Sequence, residues 1–171
     1  MRFAMALSDK LNFAVKYFSL VLLVIMTVLI VLQVFFRYVV GSTLVWSEEL
    51  ARYIFIWIVL LGATIGVKEG FHVSVNFITD RLNYSLKQIT VVISQVMIFI
   101  FSAVMIYYGT KLAQNVAYQL SPAVRLSMFW VYLVLPVSGA LIMIHNLAII
   151  PSAIKKVFSS DQEAHDEGGE G

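Results

Sequence analysis

Four long apolar windows, Tyr17–Phe36, Leu50–Val67, Ile89–Tyr108 and Phe129–Ile150, dominate the chain, and none contains an aspartate or glutamate. A helix needs about 20 apolar residues at 1.5 Å each to cross ~30 Å of hydrocarbon. The second window is the shortest, and the flanking Trp46 and Lys68 carry it to headgroup level. With 60% hydrophobic residues and a mean hydropathy of +0.87, the chain has too little polar surface for a soluble domain. The expected fold is an all-α integral membrane protein with four transmembrane helices. No connection is long enough for a separate domain, so residues 1–158 read as one membrane domain. The acidic, glycine-rich end, 159–171, has nothing to bury and reads as disordered.

Lysine and arginine set the expected orientation. With the N-terminus inside, eight of the twelve basic residues face the cytoplasm: Arg2, Lys10, Lys16, Lys68, Arg81, Lys87, Lys155 and Lys156. Arg37, Arg52, Lys111 and Arg125 face outward, which favours an N-in/C-in topology. The first window is longer than the core of about 7–15 residues found in a cleaved signal and lacks an A-x-A site, so it is expected to be retained. Short interfacial pieces are also expected. Leu7, Leu11, Ala14, Val15 and Phe18 fall near helical spacing beside Lys10 and Lys16, as in a helix lying on the membrane before the first span. The third helix should run outward past Lys111 to a break at Ser121-Pro122, and Trp130 and Tyr132 should mark re-entry. Phe71, Val73, Val75 and Phe77 alternate with His72, Ser74 and Asn76, a pattern for a short segment along the inner surface.

Several function classes drop out. The absence of cysteine excludes disulfides and thiolate metal sites. A net charge of +2 without a basic cluster gives no footprint for nucleic acid. Ion-coupled carriers usually keep an intramembrane carboxylate or paired interrupted helices. Here the spans hold no acid, and Pro136 is the only proline within one. The chain alone makes a poor carrier. Gln33, Gln95 and Ser102 are expected to hydrogen-bond across helices, each worth roughly 0.6 kcal/mol on average. His145 and Asn146 are read the same way, and no metal or cofactor is expected.

The charged stretch before the second window raises the sharper question. Ser47 is placed as a helix N-cap, with Glu48 and Glu49 in the first turn, where the helix dipole favours negative charge. Arg52 follows on the same face, and Arg37 arrives at the same depth from the first span. Two acids and two arginines should therefore meet at one membrane edge. Trp57 lies about 10 Å inward from Leu50, below the usual aromatic belt, so its indole needs a packing surface and a hydrogen-bond partner. Gly62, Gly66 and Gly70 recur every fourth residue, a small-xxx-small face that lets a helix approach, within the chain or from a partner. Ser138-Gly139-Ala140 offers a second such point. His72 reads as a surface polar residue.

Taken together, Trp46-Ser47-Glu48-Glu49-Leu50-Ala51-Arg52, Trp57, Leu61-Gly62-Ala63 and Lys68-Glu69-Gly70 before His72 and Val75 resemble the small membrane subunit of TRAP transporters, the DctQ-like family. Trp130, Tyr132 and Pro136-Val137-Ser138-Gly139 resemble that family's last helix, while Asn76 and Ser127 depart from its usual acid and proline. The likeness is greatest to the small subunit of a sialic acid system. It implies a non-enzymatic, cofactor-free subunit of a sodium-driven importer in the bacterial inner membrane. Its implied partners are a DctM-like large membrane subunit, a periplasmic substrate-binding protein and the lipid bilayer. Arg37, Trp46, Glu48, Glu49, Arg52, Trp57, Gly62, Gly66, Gly70 and His72 are then the candidate structural and partner-interface residues. Two other readings compete. A haem-anchoring four-helix subunit of a respiratory enzyme needs two facing histidines, for which only His72 and His145 are placed. A small four-helix exporter needs an acid in the first span, and Tyr17–Phe36 has none.

Overall fold

Where apolar helix-formers run on without a breaker, the helix runs with them. The computed structural model describes residues 2–79 and 84–148. Helix α1 spans Arg2–Phe35 and widens into a π-helical turn, Phe36–Val40. Gly41 ends it with φ at 74°, its N–H donating to the Phe36 carbonyl, a left-handed cap that glycine adopts without steric cost. Helix α2 covers Val45–Thr79, α3 covers Tyr84–Asn115, and α4 covers Met128–Tyr132. After Leu133 the helix resumes over 134–148. The interruption has a covalent cause: Pro136 has no N–H to return to the Tyr132 carbonyl four residues back. Among the described residues there is no strand, only an isolated antiparallel bridge between Leu120 and Ser127.

Four segments are long and apolar enough to cross a membrane: Met5–Val40, Val45–Glu69, Val92–Asn115 and Met128–Ala148. The chain is a multi-pass, all-α membrane protein. Its fourth span supplies much of the interior, with Val131, Val134, Ser138, Ile142, His145 and Asn146 all buried. The first span turns Leu20, Val24, Val28 and Val31 outward, as a helix does where lipid or another membrane protein is its solvent.

Three expectations about local structure are corrected. The segment before Tyr17 is helical but is no separate interfacial helix, because α1 runs unbroken from Arg2. Polar bonds hold it in line: Asp9 accepts from Lys68 Nζ at 2.7 Å, Lys16 pairs with Glu69, and Asn12 Nδ2 donates to Glu69 Oε1 at 3.2 Å. The alternating stretch from Phe71 to Phe77 lies within α2. It holds neither proline nor an internal cap, so nothing stops a helix already nucleated in the span. Helix α3 ends at Asn115, short of Ser121-Pro122, where the Val116, Ala117 and Gln119 N–H groups close successive turns onto Leu112, Gln114 and Val116. The 159–171 tail lies outside the described residues.

Candidate functional site

Helix α2 begins at Val45, three residues earlier than the Glu48 start that a cap at Ser47 would require. Ser47 is buried, and its Oγ donates back to the Leu44 carbonyl at 2.9 Å instead of capping. That carbonyl also accepts from the Ser47 and Glu48 N–H groups, so the turn is already closed before Ser47.

The two adjacent glutamates then part company. Glu48 is exposed and takes Arg52 Nη2 at 3.1 Å, an i,i+4 pair on the helix surface. Glu49, one residue on and about 100° around the helix, points inward and is only 8% exposed. Its Oε1 accepts from the Tyr53 hydroxyl at 2.7 Å. Its Oε2 accepts from the backbone N–H groups of Ala123 at 2.7 Å and Val124 at 3.3 Å. The Ser121 hydroxyl faces the same carboxylate. Glu49 therefore holds the turn between the third and fourth spans. Charge-assisted bonds to backbone N–H groups are among the stronger hydrogen bonds a protein makes.

Arg37 does not join these charges. It makes no ion pair among the described residues, and its guanidinium lies 5.9 Å from the Tyr38 ring centroid. The expected four-charge cluster is thus one surface pair, one stacked arginine and one buried clamp. Trp46, at the same end, is exposed.

Trp57 finds both partners it needs inside the chain. Its Nε1 donates to the Trp130 carbonyl at 3.2 Å, and its ring meets Phe18 edge-on at 6.4 Å between centroids. One indole therefore ties the second span to the first and the fourth.

The glycines divide sharply. A Cβ at Gly62 or Gly66 would meet nothing within 4 Å. At Gly139 it would lie 3.0 Å from Ile106 Cγ1, Met105 Cβ and the Ser102 carbonyl. At Gly109 it would lie 2.8 Å from Leu135 Cβ and 2.9 Å from Pro136 Cδ. The close approach within the chain is between α3 and the fourth span, and the face of α2 at Gly62 and Gly66 is open. Gly70 and His72 lie on α2, and the surroundings of both fall outside the described part.

At the opposite end, polar groups knit the spans together. Ser8 Oγ and His145 Nδ1 share a buried hydrogen bond of 2.8 Å, and Asn146 Nδ2 donates to the Gln95 carbonyl at 3.1 Å. His145 and Asn146 thus act between helices, as expected. Ser102 does not: its hydroxyl returns to Phe99 on its own helix, always within reach of a serine. Gln95 contributes its backbone carbonyl and not its side chain to that bond, and among the described residues Gln33 bonds to no other helix. Spacing and residue type single out neither Tyr53, Gly109 nor Ser8, and they mark Ser121 only as a helix break. Tyr53, four residues after Glu49, carried a findable signal; the others depend on contacts distant in the chain.

These features define a four-helix membrane unit whose buried polar groups join helices and whose second helix keeps an open small-residue face. The family model described as "Tripartite ATP-independent periplasmic transporters, DctQ component" matches residues 26–156, and the chain belongs to that family. It is a transporter component and not an enzyme. It is 26% identical over 132 residues to the sialic acid TRAP transporter small permease protein SiaQ of Vibrio cholerae, covering 77% of this chain and 76% of that protein. It is 30% identical over 141 residues to the isethionate TRAP transporter permease protein DctMQ of Oleidesulfovibrio alaskensis, covering 78% of this chain and 22% of that one. To the sialic acid TRAP transporter permease protein SiaT of Haemophilus influenzae it is 27% identical over 115 residues, covering 67% of this chain and 19% of that one. The chain thus spans about a fifth of the length of the last two. These relatives lend no support to the haem-anchor reading.

Proposed function

We propose that this chain is the small, non-transporting membrane subunit of a tripartite, sodium-coupled importer of an organic acid such as a sialic acid. It would sit in the bacterial inner membrane with both ends in the cytoplasm, and would brace a large DctM-like subunit that carries cargo and ion. A periplasmic binding protein would deliver the cargo. The observation that carries this reading is the open face at Gly62 and Gly66, while the chain's own close approach is made at Gly109 and Gly139. A helix from outside can reach that backbone, and in lipid such approach is a main source of association. Support also comes from the two relatives in which a similar unit forms only about a fifth of a longer permease chain. The relatives are named for sialic acid, isethionate and C4-dicarboxylate, all organic acids.

The test is co-purification. Gly62→Leu combined with Gly66→Leu should leave the chain alone folded as in wild type, because both new side chains enter open space. The same variant should lose most of the large subunit when the two are co-expressed and one is captured. Undiminished recovery of the large subunit would overturn the assignment of this face.

A further inference from the structure

Helices α1 and α3 share almost no direct contact, and two side chains of the fourth span reach across to them. His145 reaches α1, where its Nδ1 shares the 2.8 Å hydrogen bond with Ser8 Oγ. Asn146, the next residue, reaches α3, where its Nδ2 donates to the Gln95 carbonyl at 3.1 Å. One turn beyond Ser8 on the same face of α1, Asn12 Nδ2 donates to Glu69. Ser8, Asn12, Gln95, His145 and Asn146 are all more than nine-tenths buried.

These bonds use only part of what the side chains offer. Asn12 Oδ1, Gln95 Nε2, His145 Nε2 and Asn146 Oδ1 are sealed from bulk solvent and have no partner among the described residues. A polar atom buried without a bond is costly, and hydrocarbon offers nothing in exchange. The four atoms are of mixed kind. Both asparagine oxygens are acceptors, an assignment fixed because each Nδ2 donates to an oxygen of a carboxylate or carbonyl. Gln95 Nε2 is a donor. His145 Nε2 is a donor if Ser8 donates to Nδ1, and an acceptor if Nδ1 donates to Ser8. A cation would be repelled by the amide donor, and an anion by the two oxygens. The neighbouring charges are already matched, Asp9 with Lys68 and Lys16 with Glu69. Water donates and accepts at once, and it fits the whole set.

We propose that His145, Asn146, Gln95 and Asn12 hold ordered water between α1, α3 and the fourth span, at the end of the bundle marked by the Asp9–Lys68 pair. A buried water typically makes about three hydrogen bonds to polar groups that otherwise lack partners. Four such groups, gathered around two consecutive residues of the fourth span, supply them. The water joins helices that barely touch, and so serves as a structural ligand of the bundle. Ser8 adjoins Asp9, whose side chain is exposed, so exchange with the aqueous surface requires no passage across the membrane.

The site needs no partner, so the experiment uses the full chain alone in lipid bilayers, with water itself as the probe. Magic-angle-spinning NMR measures magnetisation transfer from water protons to labelled side chains. Transfer to His145, Asn146 and Gln95 should be about threefold faster or more than to Leu61 and Val134, because bound water touches only the polar set. Gln95→Met keeps the backbone carbonyl that accepts from Asn146 and removes only the side-chain amide. It should slow transfer to Asn146 by about twofold or more, as a water loses one of its few partners. Transfer to His145 and Asn146 no faster than to Leu61 and Val134 would overturn the proposal. So would a direct Gln95 Nε2 to Asn146 Oδ1 bond in a spectrum without water transfer, which would show the two amides satisfying each other. Unchanged transfer in Gln95→Met would overturn it as well.

Discussion

Glu49→Ala should release the turn between the third and fourth spans while leaving the helices in place. The carboxylate accepts from two backbone N–H groups, Ala123 and Val124, and from the Tyr53 hydroxyl. Alanine leaves both N–H groups without a partner in a half-buried setting, a change more costly than losing a surface ion pair. Amide exchange at Ala123, Val124 and Leu126 should rise by more than about tenfold, the size expected when charge-assisted backbone bonds are lost. Glu49→Gln should fall between alanine and wild type, because its amide oxygen can still accept from the turn and Tyr53 can reverse its hydroxyl. Glu48→Gln should change exchange there little, since Glu48 serves only Arg52 at the surface. Equal effects at Glu48 and Glu49 would contradict the division of labour between them.

This division marks where sequence reasoning stops. An acid four residues before an arginine is a local signal, and Glu48 answers it. Glu49 looks identical from its neighbours, yet beyond Tyr53 its partners are backbone groups 74 and 75 residues away, which no residue type advertises. Trp57 was different, because an indole set deep in an apolar span announces its own need for a partner, and the Trp130 carbonyl meets it. The spans were legible because hydrocarbon thickness sets their length. Their limits were less so: α1 and α2 continue past the apolar windows because no proline or cap stops them, and because Asp9, Asn12 and Lys16 on one helix meet Lys68 and Glu69 on the other. Spacing drew attention to Gly62 and Gly66, whereas the isolated Gly109 makes the tighter contact.

That contact carries the second large effect. Gly109→Leu and Gly139→Leu should each destabilise the isolated chain by about 1–3 kcal/mol, as overpacking does in other close-packed cores. At Gly109 even a methyl group would sit 2.8 Å from Leu135 Cβ and 2.9 Å from the Pro136 ring, at the place where the proline has already interrupted the helix. Relief would require parting α3 from the fourth span, which carries much of the buried interior. Unfolding of the purified protein in mixed micelles measures this directly, with Gly62→Leu and Gly66→Leu as controls predicted to stay near wild type. The contrast matters more than either number. Glycines that hold the chain together should fail in isolation, and glycines kept for a partner should fail only in its presence.

We propose that this chain has no transport route of its own and acts by bracing a larger subunit. Reconstitution into vesicles under an inward sodium gradient, with binding protein and labelled organic acid supplied outside, tests it most directly. Uptake should match that of protein-free vesicles when the small chain is present alone, and should rise to the full rate only when both membrane subunits are present. Uptake by the small chain alone, or full-rate uptake by the large subunit without it, would contradict the account.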